Sequence, residues 1–195
     1  MRSMTLLAAL ATLFALPASA AAPPPARATA VFAGGCFWCT ESDFDHIPGV
    51  LSTTSGYTGG TVANPTYEQV SGGRTGHIEA VRVVYDPAKI SYATLVGRFF
   101  PTIDPLDAGG QFCDRGGQYR SAIFVASAVQ RGVAQAAKAR VAARLKAGVA
   151  TAILPAARFY PAEDYHQDYY KKNPIRYRFY RLNCGRDARL RRVWG

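Results

Sequence analysis

The segment Gly34-Gly35-Cys36-Phe37-Trp38-Cys39 brings together two glycines, two thiols and two aromatic rings. The β-prone run Thr29–Ala33 leads into the glycines, and helical spacing follows from Cys36 to His46. The first N–H groups of a helix have no backbone partner and carry partial positive charge, which stabilises a thiolate. We therefore predict that Cys36 is a reactive nucleophile whose pKa lies below the ordinary value of about 8.5.

Four cysteines allow more than one kind of site: Cys36, Cys39, Cys113 and Cys184. Two structural disulfides are the usual arrangement in an exported protein. A zinc site with four thiolates normally contains two C-x-x-C pairs, and only Cys36 and Cys39 form one here. The uneven spacing therefore favours redox chemistry over a disulfide framework or a metal site, and no bound metal is expected.

Several further short sequence motifs, here called blocks, follow this segment along the chain. Gly-Cys-Phe-Trp-x-x-Glu at 35–41 is joined by blocks at 56–60, 64–68, 75–79, 85–87, 90–92, 118–121 and 162–167. In this order they resemble the A-type peptide methionine sulfoxide reductases. The resemblance implies thiol-dependent reduction of (S)-methionine sulfoxide, in proteins or free, to methionine. The reaction would pass through a cysteine sulfenic acid that is resolved to a disulfide.

The same resemblance implies roles for four polar residues around the sulfoxide oxygen. Glu79 would hydrogen-bond to this oxygen and protonate it, and partial burial of its strand is expected to raise its pKa. Tyr67 and Tyr119 would donate hydroxyl hydrogen bonds to the same oxygen, and Asp114 would complete the polar edge. Cys36 would attack the sulfur.

The aromatic residues and the histidines are expected to have supporting roles. By the resemblance, Phe37 and Trp38 would form the apolar wall around the substrate's methyl group. His77 and His166 do not make a metal-ligand set with other residues at suitable spacing, so we interpret both as hydrogen-bonded structural residues. His46 is expected to end the helix that Cys36 begins.

The cysteine that resolves the sulfenic acid is the point at which the chain departs from the common family pattern. Many members have Gly where this chain has Cys39, and a recycling cysteine near the position of Phe179. We rank Cys184 first, because its glycine-flanked, C-terminal position suits a mobile thiol. Cys39 ranks second, as an i,i+3 partner at the helix start, and Cys113 third. A thioredoxin-like dithiol protein would then regenerate the enzyme.

The order of predicted elements indicates an α+β fold. Strands are predicted at 29–33, 50–57, 78–85, 121–126 and 151–160, and helices at 36–46, 91–100, 127–147 and 162–172. This order predicts a two-layer sandwich with a mixed, mostly antiparallel sheet, helices packed on it and a ferredoxin-like core. Because no G-x-G-x-x-G follows a strand, no bound cofactor is expected.

The first residues have the layout of a secretory signal peptide. Arg2 precedes the apolar run Thr5–Leu16, and Ala18-Ser19-Ala20 forms a small-x-small cleavage site. We therefore expect a signal peptide at 1–20, a linker at 21–28 and a single catalytic domain at 29–195. The mature protein is expected to be periplasmic or secreted, monomeric and without stable membrane association.

The net charge of +10 is concentrated near the C-terminus, where Lys171–Arg192 contains nine basic residues and one acid. We interpret this segment as a solvated basic tail, because no nucleic-acid motif accompanies it. Two other functions stay open. The pair Cys36/Cys39 would suit a thiol–disulfide oxidoreductase, and four cysteines locked in disulfides would suit a binding protein that uses the basic tail.

Overall fold

The computed structural model describes residues 26–195. The expected signal peptide at 1–20 and residues 21–25 of the expected linker lie outside the described residues. The first strand begins at Ala28, the last residue of that linker. Within the described range, none of the helices has both the length and the apolar character needed to cross a bilayer.

Strands within this range form a main sheet and a small ladder. Their bounds are β1 Ala28–Gly34, β2 Val50–Thr58, β3 Ile78–Tyr85, β4 Gly110–Gln111, β5 Asp114–Arg115, β6 Ser121–Val125, β7 Ala152–Pro155 and β8 Phe159–Pro161. The main sheet has the order β7-β6-β1-β3-β2-β8, and β4 pairs with β5. Only the β6/β7 pair in the main sheet is parallel. The predicted mixed, mostly antiparallel sheet is therefore confirmed.

Helices connect these strands and cover the sheet. They are α1 Phe37–Asp45, α2 Tyr67–Ser71, α3 Tyr92–Phe99, α4 Ala128–Leu145, α5 Tyr169–Lys172, α6 Pro174–Asn183 and α7 Arg186–Trp194. Ser91 and Ser127 cap α3 and α4, because each hydroxyl accepts a hydrogen bond from a backbone N–H three residues later. The predicted helix extends to Ala147, but the left-handed residue Lys146 ends α4 at Leu145.

The main core lies between the sheet and the helices. Phe32 of β1 stacks on Phe44 of α1 with ring centroids 4.7 Å apart. The ring of Phe99 in α3 lies 5.1 Å from the Phe32 ring. Alternate strand residues such as Ala33 and Ala80 point to the opposite face and form a smaller cluster. The predicted α+β architecture, with helices packed on the sheet, is confirmed.

Two predictions for the C-terminal half are wrong. The single strand predicted at 151–160 is two strands at opposite edges of the sheet, since β7 pairs with β6 and β8 pairs with β2. The helix predicted at 162–172 is reduced to α5, because residues 164–168 form turns. An apolar run and a helical pattern do not reveal where a chain crosses from one sheet edge to the other.

The basic segment is not a solvated tail. It forms α6 and α7, and Arg186 is only 1% exposed. The Arg186 guanidinium donates to the carbonyl oxygens of Gly34 at 3.2 Å and Thr102 at 2.7 Å. It also pairs with Asp43 of α1 at 3.5 Å. These partners stabilise the buried charge, although Arg186 Nε has no hydrogen-bond partner among the described residues, so the segment is part of the folded domain.

Candidate active site

The turn between β1 and α1 places Cys36 at the start of the helix. Gly35 has φ +84°, and a Cβ there would lie 2.5 Å from the Gln111 side chain. A Cβ on Gly34 would lie 2.7 Å from the Thr40 hydroxyl. Only glycine fits both positions without displacing a neighbour, so the two glycines fix the path that delivers Cys36 to its place.

Cys36 is the N-cap residue of α1 and is 7% exposed. Burial, followed by a hydrogen bond with Cys39, raises its pKa well above the ordinary value. The predicted lowering of this pKa is therefore wrong for the site as it stands. In the part of the chain that the structure describes, its side chain caps no helix N–H group. The nearby Phe37 N–H is taken by Glu79 instead.

Cys39 lies one helical turn further on and is 1% exposed. Its hydrogen bond with Cys36 lowers its pKa to about 7, with help from the positive charges of Arg186 and Arg181 and against the effect of burial. The two thiols therefore titrate as a pair. Both are free in the structure.

Glu79 reaches the same place from the neighbouring strand β3. Its Oε2 accepts a hydrogen bond from the Phe37 N–H at 3.0 Å, and the residue is 2% exposed. Burial raises its pKa to about 8. The rise agrees with the expectation from the sequence, and its cause is desolvation of the carboxylate. At neutral pH, Glu79 is mainly a neutral acid beside the thiols.

Tyr67 and Tyr119 come from two separate loops. Tyr67 begins α2, and Tyr119 ends a short 3-10 turn at Gly117–Tyr119. The two phenols lie close enough for each to affect the pKa of the other. Burial, with the charge of Glu79 second, raises the pKa of both phenols, so each keeps its proton for donation. Both phenols therefore lie near the charges of Glu79 and Cys36.

Asp114 belongs to β5 and is half-buried, which raises its pKa. Its Oδ2 accepts a hydrogen bond from the hydroxyl of Tyr180, a residue of α6. Burial and the charge of Cys36 raise the pKa of Tyr180. The sequence reasoning missed Tyr180. It lies among several tyrosines in the basic segment, and no local pattern distinguishes it.

Cys184 and Cys113 form a disulfide across 71 residues of sequence. Cys113 is exposed and Cys184 is half-buried at the end of α6. The Cys184 sulfur lies 3.9 Å from Asp114 Oδ2 and 4.0 Å from the Tyr180 hydroxyl. In this state the bonded sulfurs of Cys113 and Cys184 are not available as zinc thiolates.

The two aromatic residues after Cys36 have different surroundings. Phe37 is buried in the core against Tyr57 and His166. Trp38 is half-buried, and its ring stacks on Tyr169 with centroids 3.7 Å apart. Trp38 is therefore the more accessible apolar surface beside Cys36.

Each histidine has a structural partner. His166 Nδ1 accepts from Trp38 Nε1 at 3.0 Å, which requires an unprotonated nitrogen, and burial lowers its pKa. His77 Nδ1 accepts from the Gly60 N–H at 3.1 Å, so its Nε2 donates to the Val62 carbonyl at 2.7 Å. His46 caps the end of α1. The structural interpretation of all three histidines is confirmed.

The Tyr180–Asp114 contact gives a first prediction. Tyr180→Phe removes the hydroxyl donor from a half-buried carboxylate, so the free energy of unfolding should fall by about 1–3 kcal/mol. The loss should be larger above the pKa of Asp114 than below it, because only the carboxylate needs the donor. Urea unfolding at two pH values measures this. Tyr165→Phe, at an exposed tyrosine, is the control. Equal losses in the two variants would contradict the assignment.

Comparison with known proteins gives a consistent result. The family model described as peptide methionine sulfoxide reductase matches residues 28–195. Peptide methionine sulfoxide reductase MsrA 2 of Caulobacter vibrioides is 56% identical over 189 residues, which cover 96% of this chain and 95% of that protein. The structure of methionine sulfoxide reductase A of Corynebacterium diphtheriae is 37% identical, with a TM-score of 0.70, over 78% of this chain and 77% of the other.

A yeast structure is also similar. Reduced Mxr1 from Saccharomyces cerevisiae is 32% identical, with a TM-score of 0.73, over 76% of this chain and 87% of the other. The match to the family model, over residues 28–195, includes the β1–α1 turn.

Proposed function

The chain belongs to the peptide methionine sulfoxide reductase family and reduces methionine sulfoxide to methionine, and from this premise we propose which of its residues carry each step. The observation that carries the proposal is the meeting of Cys36 and Glu79 at the start of α1. The Phe37 N–H holds Glu79 at 3.0 Å, and burial keeps its carboxyl protonated near neutral pH. A nucleophilic sulfur and a proton donor are thus adjacent.

In the first step, Cys36 attacks the sulfur of the sulfoxide. Glu79 donates its proton to the sulfoxide oxygen, and the hydroxyls of Tyr67 and Tyr119 hydrogen-bond to the same oxygen. The oxygen is transferred to Cys36, so methionine leaves and a sulfenic acid remains. The Cys36/Cys39 pair, whose two thiols titrate together, supplies the thiolate.

Trp38 is the residue we assign to the substrate's methyl group. It is half-buried, stacked on Tyr169 and held by His166, so a rigid apolar face lies beside Cys36. Phe37 supports this face from the core. The methyl group is held on one side of the sulfur, and the groups that donate hydrogen bonds to the sulfoxide oxygen lie on the other side. This arrangement selects one configuration at the chiral sulfur. We propose the S epimer, in peptides or free.

Regeneration needs a dithiol reductant, which we propose is of the thioredoxin type. The Cys113–Cys184 disulfide lies at the surface, where Cys184 and Phe112 line an open cavity of about 470 Å³. Two electrons from an external dithiol convert this disulfide to two thiols. Asp114 and Tyr180 border the disulfide on its inner side. No bound cofactor takes part in this scheme.

The function is tested with a peptide that contains one methionine sulfoxide. Methionine should appear catalytically in the presence of thioredoxin, thioredoxin reductase and NADPH, and only the S epimer should be consumed. Insulin reduction, measured beside it, tests the alternative thiol–disulfide oxidoreductase. Fast insulin reduction without methionine release would overturn the proposal.

Cys184→Ser separates the chemical step from regeneration. The reduced variant should release about one equivalent of methionine and then stop, because the disulfide that faces the reductant cannot form. Rapid-quench measurement gives the burst, and the coupled NADPH assay gives the cycling rate. Cys113→Ser, which removes the partner sulfur, should behave in the same way. Normal cycling by either variant would exclude this disulfide from regeneration.

We also propose that the protein is exported as a monomer after cleavage behind Ala20. The support is the signal layout of residues 1–20. A mass spectrum of protein from the cell envelope should show Ala21 as the first residue, and sedimentation should give the mass of one chain.

We propose that the core of the domain is ferredoxin-like, because the central strands of the main sheet have the order β6-β1-β3-β2.

A further inference from the structure

The outer face of α6 carries a row of exposed apolar side chains. Ile175 is 83% exposed, Phe179 71% and Leu182 79%. Their spacing of four and then three residues places them on one face of the helix. Tyr177, on the opposite face, is buried in the domain. We call Ile175, Phe179 and Leu182 the α6 stripe.

The α6 stripe differs from an ordinary exposed apolar residue. Val129 of α4 is 77% exposed, but it is the only exposed large apolar side chain of that described helix. Single residues of this kind are common on protein surfaces, whereas a contiguous apolar patch marks a surface that meets a partner. The three side chains of α6 therefore need a partner, and Val129 does not.

Basic side chains border the α6 stripe. Arg176 and Arg178 are both exposed, and by helical spacing they lie on its two sides. Within residues 26–195, neither of them forms an ion pair with an acidic side chain. Lys172, just before α6, is exposed as well, and α6 contains no Asp or Glu. The outer face of α6 is thus apolar in the middle and positive at its margins.

We propose that the α6 stripe and its two flanking arginines dock the protein reversibly on the surface of an anionic phospholipid bilayer. A helix of this composition lies in the plane of the interface, with its apolar side chains among the acyl chains and its cations at the phosphate groups. Three apolar side chains give a weak, salt-dependent attachment. It is compatible with the expectation that the protein has no stable membrane association, and it does not depend on the reductase activity.

Charge disfavours a second copy of the chain as the partner. In a symmetric pair the same patch faces itself, so Arg176 and Arg178 of the two copies would meet. Like charges that face each other oppose association, and α6 offers no acidic side chain to separate them. An anionic lipid surface supplies the opposite charge to the same two arginines.

Position disfavours the dithiol reductant as the partner. Cys184 follows Leu182 by two residues and continues the helical conformation, so it lies on nearly the opposite side of α6. Its sulfur lies 3.9 Å from Asp114 Oδ2 and 4.0 Å from the Tyr180 hydroxyl. A reductant that reaches this disulfide therefore approaches another side of the helix. Docking through the α6 stripe leaves the disulfide open to it.

Co-sedimentation with vesicles tests the proposal. The full chain is mixed with vesicles of phosphatidylglycerol and phosphatidylcholine in equal parts, or of phosphatidylcholine alone. On the anionic vesicles at low ionic strength, Ile175→Ser/Phe179→Ser/Leu182→Ser should bind at least about 100-fold more weakly than the wild type. Arg176→Gln/Arg178→Gln should bind about 25-fold more weakly, or about five-fold for each charge. The effect of the arginine substitutions should disappear on neutral vesicles and at high ionic strength. All variants keep the same N-terminal segment, so the differences report α6.

A fluorophore placed in the stripe gives a local measurement. When anionic vesicles are added, the emission of Phe179→Trp should shift to shorter wavelength and be quenched by lipids with brominated acyl chains. Both changes should exceed those of the wild type, which already contains Trp38 and Trp194. Val129→Trp, at a similarly exposed position on α4, is the matched control and should show no quenching beyond the wild type.

The outcomes separate the three partners. Equal vesicle binding by the wild type and the folded triple serine variant would overturn the proposal, and so would equal quenching of Phe179→Trp and Val129→Trp. A dimer that the serine substitutions dissociate, without vesicle binding, would assign the stripe to a second copy and overturn it. Slower recycling by thioredoxin in the serine variant, with unchanged vesicle binding, would assign the stripe to the reductant and overturn it too.

Discussion

Cys36→Ser should release no measurable methionine, either in one turnover or with a reductant present. A serine hydroxyl in this site is not ionised near neutral pH, and its oxygen cannot take the sulfoxide oxygen as a thiolate sulfur does. The burial that raises the pKa of Cys36 would also disfavour an alkoxide at the same position. Rapid quench with a methionine sulfoxide peptide measures the first turnover, and the coupled NADPH assay measures cycling.

The matched control is Cys113→Ser, which removes a thiol outside the Cys36/Cys39 pair. This variant should still release one equivalent of methionine in the first turnover. A circular dichroism spectrum and urea midpoint close to those of the wild type would show that Cys36→Ser is folded. Turnover by a folded Cys36→Ser protein would remove Cys36 from the nucleophile role, and with it the whole proposed scheme.

Glu79→Gln should slow methionine release in a single turnover by about 10²–10⁴-fold, the usual contribution of a general acid. Glutamine keeps the shape of the side chain and can still accept the hydrogen bond from the Phe37 N–H. It cannot give up a proton to the sulfoxide oxygen. An unchanged single-turnover rate would contradict the acid role of Glu79.

The pH dependence distinguishes proton donation from a structural effect. The pKa of Glu79 is raised to about 8, so its carboxyl is protonated below this pH and ionised above it. The wild-type rate should therefore fall as the pH rises through about 8, and this falling limb should be missing in Glu79→Gln. The thiolate requirement acts in the opposite direction, because ionisation of the Cys36/Cys39 pair increases with pH.

The pH dependence of the free energy of unfolding is a second test of the raised pKa of Glu79. A carboxyl whose pKa is raised on folding contributes to stability below its unfolded pKa, and this contribution is lost as the pH rises through the folded value. The wild type should therefore lose free energy of unfolding as the pH rises from about 4.5 to about 8, and this loss should level off above pH 8, where Glu79 is ionised in both states. Glu79→Gln should not show this part of the loss in urea titrations.

Local features of the fold were predictable because their causes lie within a few residues. The glycines before Cys36 allow the tight turn, and Ser91 and Ser127 accept hydrogen bonds from the next helical turn. The strand at 78–85 was predicted with the bounds it has, because its β-branched residues and the following Asp86-Pro87 mark both ends. Such signals depend only on neighbouring side chains.

Other features depend on residues that are far apart in the sequence. Tyr180 and Asp114 are 66 residues apart and meet only when α6 packs beside β5. The charge of Arg186 reaches Cys39 because α7 turns back over the β1–α1 junction. No spacing rule in a single sequence reports such a contact. The basic segment was therefore misread as a tail.

The sequence by itself determined that a thiol stands where a strand meets a helix, and which residue blocks accompany it. Tertiary structure decided how the thiols ionise and pair. Burial raises the pKa of Cys36 in spite of its place at the helix start, the buried Arg186 helps to lower the pKa of Cys39, and Cys113 joins Cys184 across the fold. The physical reason is that a residue's type fixes its chemistry, whereas its solvation and its partners are set by the chain packed around it.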